Sequence, residues 1–317
     1  LLVLRETRTL GEGNRLVPHL SVLLAVALGV LSLTAVVVSV DRLTKSLRVG
    51  SVAGSITEQT LEMVHARGEP LKLERPDLRP SAIADERSSA SIPADAEPVT
   101  SDGGGWVQQI AIGSILAAVP EGSVVHLPAG VGTHVVPGGP LAYVQPAPDD
   151  DCTERIRASI ALGPERTMQN DIGYGILQLV DIALRALSPG INDPNTANDV
   201  IVNLGVVLLA VWEYPEEQPV HREDGRSLVR RPLNHADFLS ATFDPLRRYG
   251  SSDASVVETM IRVLTTLRSE AERRGLPGPL DPIDETISAV LDEFDRHDPA
   301  AIDRRLVQRL LTPDDDG

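Results

Sequence analysis

Cysteine is almost missing from this chain: Cys152 stands alone among 317 residues. That excludes an internal disulfide framework and any zinc site built on cysteines. Asp149, Asp150 and Asp151 precede the thiol, and like charge disfavours its thiolate, so Cys152 reads as chemically inert. Basic charge is also short. Twenty-nine Lys and Arg against 45 Asp and Glu leave a net charge of −16, which argues against nucleic acid as a partner, since there is no basic surface to displace phosphate counterions. Aromatic residues supply 3% of the chain within a hydrophobic share of 42%, so any core is built from Ala, Val and Leu. The common catalytic signatures are absent too: no H-E-x-x-H, no G-x-S-x-G, no Walker loop and no kinase set. Seven histidines are scattered, none four residues from another. No cofactor or metal is expected.

What the chain does have is one long apolar run. Leu20 to Val40 is 21 residues without a charge, about 30 Å as a helix, the thickness of a bilayer core. It is longer than the h-region of a signal peptide, and no clear small-residue cleavage site follows it. The expectation is a transmembrane helix, with the lipid bilayer as a partner and the plasma membrane as the location. Leu1 in place of Met, and the apolar Leu1 to Leu4, suggest the tail of an earlier span. Arg5, Arg8 and Arg15 before the run balance Arg42, Lys45 and Arg48 after it, so the positive-inside rule does not decide orientation. The large acidic, disulfide-free remainder favours a cytoplasmic C-terminal region.

Composition divides the rest. A transmembrane region covers 1–42 and a membrane-proximal helix 43–69. Residues 70–104 hold five of the prolines, from Pro70 to Pro98, among Ser, Ala and acidic residues, and read as a linker. A small β-rich module over 105–148 has short strands at Trp106–Ile110, Val124–Leu127, Val131–Val136 and Leu141–Val144, with a helix at Ile112–Val119. Gly138-Gly139 is a turn and no phosphate loop surrounds it. His126 and His134 are placed on neighbouring strands, where exposed histidines are the plain reading and a shared metal the sharper one.

From 149 to 317 the pattern is that of a helical bundle. The expected helices are Thr153–Leu162, Ile172–Leu187, Asn195–Trp212, Phe238–Arg248, Ser255–Arg274, Pro282–Asp295 and Pro299–Leu311. Tyr214 to Pro232 reads as a polar mobile loop, Asp237 as a helix N-cap, and Asp314 to Asp316 as an acidic tail. The fold class is thus a mainly α membrane protein with a small β-rich middle module and a C-terminal helical bundle.

The stretch that stands out is Asp171 to Asn203. Asp171, Tyr174, Gln178, Asp181, Arg185 and Ser188 recur at spacings of 3, 4, 3, 4 and 3, one stripe of an α-helix. After the break Ser188-Pro189-Gly190, the residues Asn192, Thr196, Asp199 and Asn203 recur at 4, 3 and 4. Pro189 stops the first helix, Gly190 supplies a permissive turn, and Asp193 with Pro194 starts the second. Val200 to Trp212 carries no charge and is expected to be deeply buried. Two readings stay open. In one, the stripes are the water-facing sides of amphipathic helices, with Asp181 and Arg185 an ordinary pair one turn apart. In the other, Asp, Asn and Gln in place of Lys and Glu mark a polar seam, facing inward or toward a symmetry mate, and needing partners to offset desolvation. The candidate binding residues are Arg166, Gln178, Asp181, Arg185, Ser188, Asn192, Asp193 and Asp199, with no catalytic residue assigned.

Several stretches resemble the bacterial predicted-membrane-protein family known as domain of unknown function 2254. They are Val17-Pro18-His19-Leu20-Ser21, Gly105-Trp106-Val107-Gln108, Gly163-Pro164-Glu165-Arg166-Thr167, the run from Gln178 to Asp193-Pro194, and Arg247-Arg248-Tyr249-Gly250. Leu177 stands where that pattern has a basic residue, and Asn195 where it has an aromatic. The resemblance implies several N-terminal spans before a soluble region, and supplies no reaction. The functional expectation is a non-enzymatic homo-oligomer, channel- or transport-like or a scaffold, with its ligand or ion unspecified. The alternatives are a membrane-tethered enzyme using Asp181 or Asp193 as acid/base with Arg166 or Arg185 on an anionic group, and a ligand-sensing module read by the β region.

Overall fold

The computed structural model describes residues 9–10, 14–15, 19–46, 49–66, 91–276 and 278–311. The described residues are mostly helical, with some sheet, so the mainly α expectation holds. Residues 1–52 and 53–317 form two compact units.

In the first unit, β1 (Thr9–Leu10) pairs antiparallel with β2 (Asn14–Arg15), and α1 runs from His19 to Ser46. The whole uncharged run from Leu20 to Val40 falls inside α1. Leu23 to Val37 is exposed throughout, an apolar surface that water would not favour. Thr34 returns its hydroxyl to Val30 O at 2.8 Å, so its polar group needs no outside partner. The expected end of an earlier span at 1–4, residues 70–90 of the expected linker at 70–104, and the acidic tail lie outside the described residues. In the remainder of that linker Glu97–Thr100 is a sheet strand with Val99 buried, because it pairs with Pro140–Gln145.

The second unit joins sheet and helices. Helix α2 spans Val49–His65, and Ala53, Thr60 and Val64 on it are buried. Next come β3 (Glu97–Thr100), β4 (Gly105–Ile110), α3 (Ile112–Ala118), β5 (Val124–Leu127), β6 (His134–Val135), β7 (Pro140–Gln145), α4 (Asp150–Ala158) and β8 (Ile160–Gly163). Then follow α5 (Ile172–Ala186), α6 (Pro194–Trp212), β9 (Val220–Glu223), β10 (Arg226–Arg230), α7 (His235–Gly250), α8 (Ala254–Arg273), α9 (Leu280–Arg296) and α10 (Ala301–Arg309). The strands form a five-stranded sheet, β3-β7-β5-β10-β9, and a three-stranded sheet, β6-β4-β8. Val99, Val125, Val144, Ile115, Ile156 and Leu228 fill the core between them.

Four expectations change here. Thr153–Leu162 is not one helix: α4 ends at Ala158, and Ile160–Gly163 pairs with β4 from Ile110 back to Trp106. Tyr214–Pro232 is not a mobile loop. Asp224 and Gly225 both take positive φ, 46° and 73°, the geometry that closes a tight hairpin. That hairpin lays β10 parallel to β5 and buries Leu228. His126 and His134 are on different sheets, β5 and β6. His126 is buried, and burial lowers its pKa below the ordinary 6.5. His134 instead sits edge-on to Trp106 at 5.2 Å. Finally, the N-cap of α7 is Asn234, and Asp237 closes the capping box from the N3 position.

Helices α5 to α10, with Ala53 and Val64 of α2, share one apolar core. Helix α5 packs against α6 and α7, and α6 also packs against α8. Two contacts are glycine-dependent: a Cβ on Gly175 would lie 2.1 Å from Thr60 Oγ1, and one on Gly205 would lie 2.6 Å from a Val263 methyl. Among the residues whose side chains are described, α6 is the helix of 18 residues or more that is apolar enough to cross a membrane, with mean hydropathy 1.4, yet 56% of that stretch is buried within the fold. The apolar stretch of α1 so described, Leu23–Val37, is shorter. Trp212, Leu204 and Leu208 on it are fully buried. Val202 and Val206 depart furthest from the expected deep burial, at 50% and 47% exposure, and Asn203 and Leu209 are half-buried.

Candidate functional site

The turn between α5 and α6 is built by its own backbone. Helix α5 stops at Ala186, and Ser188 donates its hydroxyl to Arg185 O at 2.6 Å. The amides of Ile191 and Asn192 both donate to Ser188 O, at 3.0 and 2.9 Å, and that of Asp193 reaches back to Ala186 O at 2.8 Å. Asn192, not Gly190, takes the left-handed conformation, with φ 49°. Asparagine tolerates that region better than most side chains. Asp193 caps α6, accepting from Thr196 N at 3.2 Å and Thr196 Oγ1 at 2.5 Å. The Thr196 hydroxyl, then the backbone amides, hold its pKa below the usual carboxylate value. Ser188 and Asp193 therefore have local tasks.

The rest of the two stripes turns outward as it approaches the break. Asp171 is buried, Tyr174 and Gln178 are half-buried, and Asp181 and Arg185 are exposed. On α6, Thr196 and Asn203 are half-buried, while Asn192 and Asp199 are exposed. The exposed ridges are Leu177, Asp181 and Arg185 on α5, and Asn195, Asp199, Val202 and Val206 on α6. Within one chain the stripes do not close on each other. Among the described residues, the side chains of Asp181, Arg185 and Asp199 make no hydrogen bond or ion pair. Asp181 and Arg185 stay apart although they sit one turn from each other. Gln178 Oε1 is buried without a hydrogen-bond partner.

Arg166 is elsewhere. It pairs with Asp171 through two bonds, Nε to Oδ2 at 2.7 Å and Nη2 to Oδ1 at 3.1 Å. Its guanidinium also lies 5.1 Å from the centre of the Tyr174 ring. Asp171 additionally caps α5 by accepting from Tyr174 N at 2.9 Å. Gly132, at φ 83°, abuts this pair: a Cβ there would fall 2.2 Å from Asp171 Oδ2. One carboxylate thus ties the start of α5 to the Arg166 loop, with the β5–β6 loop packed close against it. The five-residue step from Arg166 to Asp171 fits no helical or strand period, so the pairing leaves no mark in the sequence.

Asp171 also forms part of a pocket of about 130 Å³ where sheet and helices meet. Gly130, Asn170, Glu217, Arg230 and Arg231 are among its walls. Arg230 donates to Glu217 at 2.6 Å and, through Nε, to His221 Nε2 at 3.3 Å. Burial, then the Arg230 charge, lowers the pKa of His221. Asp181, Arg185, Asn192, Asp193 and Asp199 are not on these walls, and the volume is below the usual range for a small-molecule site. Among the described residues no group of three or more His, Cys, Asp or Glu is placed to hold a metal ion.

With this geometry in view, comparison with known proteins is decisive on one point. The profile of the family described as "Predicted membrane protein (DUF2254)" matches residues 1–266. The chain belongs to that family. Three curated relatives of the chain are uncharacterised mycobacterial proteins. Those of Mycobacterium bovis and Mycobacterium tuberculosis H37Rv are each 30% identical over 276 residues, 82% of this chain and 50% of theirs. That of M. tuberculosis CDC 1551 is 30% identical over 275 residues. The chain spans about half the length of these relatives. No solved structure matches it. The family description is consistent with a membrane location.

Proposed function

We propose that this chain is the membrane-anchored subunit of a non-enzymatic homo-oligomer, channel- or transport-like or a scaffold, with its C-terminal helices forming a bundle. Helix α1 crosses the bilayer. An uncharged run about 30 Å long and the continuous exposure of Leu23 to Val37 support that placement. The acidic remainder lies in the cytoplasm, a placement that thiol-labelling of cysteines introduced on either side of α1 tests in intact cells.

The observation that carries the oligomeric reading is the state of the α5–α6 stripes. Asp181, Arg185, Asn192 and Asp199 are exposed on a hairpin whose other faces are packed. Of the residues an enzyme could use as anion binder or acid/base, Arg166 and Asp193 are committed to Asp171 and Thr196, and Asp181 and Arg185 lie on an exposed helix face away from the pocket. The test pairs Asp181→Ala with Asn192→Ala in the full chain, reading mass in detergent by light scattering and ion leakage from proteoliposomes. Loss of either supports the seam; if assembly and permeability both survive, the reading fails.

The pocket favours a second reading, a ligand-sensing module. It joins β5, β10 and the start of α5, so a small polar ligand held there would act on sheet and helices together. A screen of small carboxylates and phosphate by thermal shift tests it, with Arg230→Ala as the control that abolishes any shift.

A further inference from the structure

We infer that the outward face of the α5–α6 hairpin docks a second copy of this chain about a twofold axis, Arg185 of each copy meeting Asp181 and Asp199 of the other. This rests on the homo-oligomeric reading and names its contact. Three observations converge on it.

The first is charge left unused. On the neighbouring helices most arginines are engaged by carboxylates, among them Arg247 by Glu293, Arg262 by Glu258, Arg268 by Asp284 and Arg274 by Glu213; Arg248 on α7 is an exception among the described residues. Arg185 has no such partner among the described residues, although Asp181 precedes it by the four residues that allow an intrahelical pair.

The second is apolar exposure on the same face. Leu177 is 40% exposed, Ile191 62%, Val202 50% and Val206 47%. Asn195, Asp199, Val202 and Val206 follow each other at spacings of 4, 3 and 4, one ridge along α6. Polar residues occupy its first half and valines its second. Helices α5 and α6 are joined by a short turn and pack against each other, so the hairpin offers one two-helix face.

The third is self-complementarity. A twofold contact sets a patch against its own copy. A chain carrying −16 repels its copies, and a face of one sign would add to that. This face holds a cation and two anions, so rotation about a twofold axis sets Arg185 against carboxylates instead of against itself. An anionic lipid surface would meet Asp181 and Asp199 unfavourably, and the bilayer core would reject all three charges. The size also fits. Nineteen residues of α6 are about 28 Å long, and two adjacent helices are about 20 Å wide. That is on the order of 550 Å² per copy, just reaching the area of a specific contact.

The test uses the full chain in detergent, with mass distribution followed across a dilution series. Arg185→Asp and Val206→Glu should each weaken self-association by about ten- to a hundredfold. Both positions are on the surface, so each variant should keep the parent's melting temperature, which is measured alongside. The triple variant Asp181→Arg, Asp199→Arg, Arg185→Asp inverts every charge on the face and should restore self-association. A wild-type chain that stays monomeric overturns both this inference and the oligomeric reading. A wild-type oligomer indifferent to Arg185→Asp and Val206→Glu overturns the inference alone, and places the contact elsewhere. Failure of the triple variant to recover likewise overturns the reciprocal pairing.

Discussion

Removing the Asp171 carboxylate is the sharpest test of how sheet and helices are held together. Asp171 does two things at once: it caps α5 through Tyr174 N, and it neutralises Arg166 through two bonds. Asp171→Asn keeps the first role, because asparagine caps nearly as well as aspartate, and loses the second. Asp171→Ala loses both. Stripping one partner from a fully buried pair costs about 3–5 kcal/mol. Here the Arg166 side chain is 21% exposed beside a carboxylate 5% exposed, and water reaching the guanidinium reduces the figure to about 1–3 kcal/mol. The lost cap adds about 1 kcal/mol. Asp171→Asn should therefore destabilise by about 1–3 kcal/mol, and Asp171→Ala by about 2–4 kcal/mol. For a region of this size each kcal/mol lowers the melting temperature by about 2–4 °C. Fluorescence of Trp212, fully buried in the helical core, reads the transition in the full chain. In the background of Arg166→Met the asparagine change should cost almost nothing, since no charge is then left unpaired. If Asp171→Asn is as stable as the parent, or if its cost is unchanged without Arg166, the ion pair does not organise this junction.

Three further outcomes follow from particular contacts. Gly175→Ala gains about 1 kcal/mol of helix propensity but drives a methyl onto Thr60, an overpacking cost of about 1–3 kcal/mol. It should lower the melting temperature, and Thr60→Ala should recover part of the loss; equal behaviour in both backgrounds would refute the contact. His126 and His221 both titrate below the ordinary 6.5, so as pH falls past 6.5 the unfolded chain binds protons that the folded chain refuses. Stability should fall as pH drops through 6.5, and His126→Gln should flatten that slope in melting curves. Burial, then the Asp149 charge, raises the pKa of Cys152, so maleimide should label it only after denaturation.

How far the sequence reaches depends on how local each cause is. Asp193-Pro194 announced a helix start, and the structure has that start, because a cap needs only its own next three residues. The α6 core was legible for the same reason: an uncharged 3.6-residue pattern belongs inside wherever it is. The β9–β10 hairpin was missed because its strands are short and charged, and what makes them strands is pairing with β5, about a hundred residues earlier. Ile160 to Leu162 reads as the end of a helix because its pattern suits either element, and only the open edge of β4 decides. The Asp171 pairing with Arg166 was invisible because a loop has no period to read.

The polar stripes sit at the boundary of this logic. Helical spacing separates polar from apolar residues, but it cannot say what lies beyond the polar side. Asp181, Arg185 and Asp199 face away from the fold, which on its own would make them a plain solvated surface. The valines alter that conclusion. Exposed apolar side chains also occur elsewhere, as at Tyr249 and Ile302, but here Val202 and Val206 continue the ridge of Asp199, beside an Arg185 left unpaired one turn from Asp181. Apolar side chains half out of water and charges held apart from their nearest partner are both small costs to a lone chain. Both turn into gains once a second copy covers the face. The mixed ridge therefore argues for contact where a uniformly polar one would argue for water.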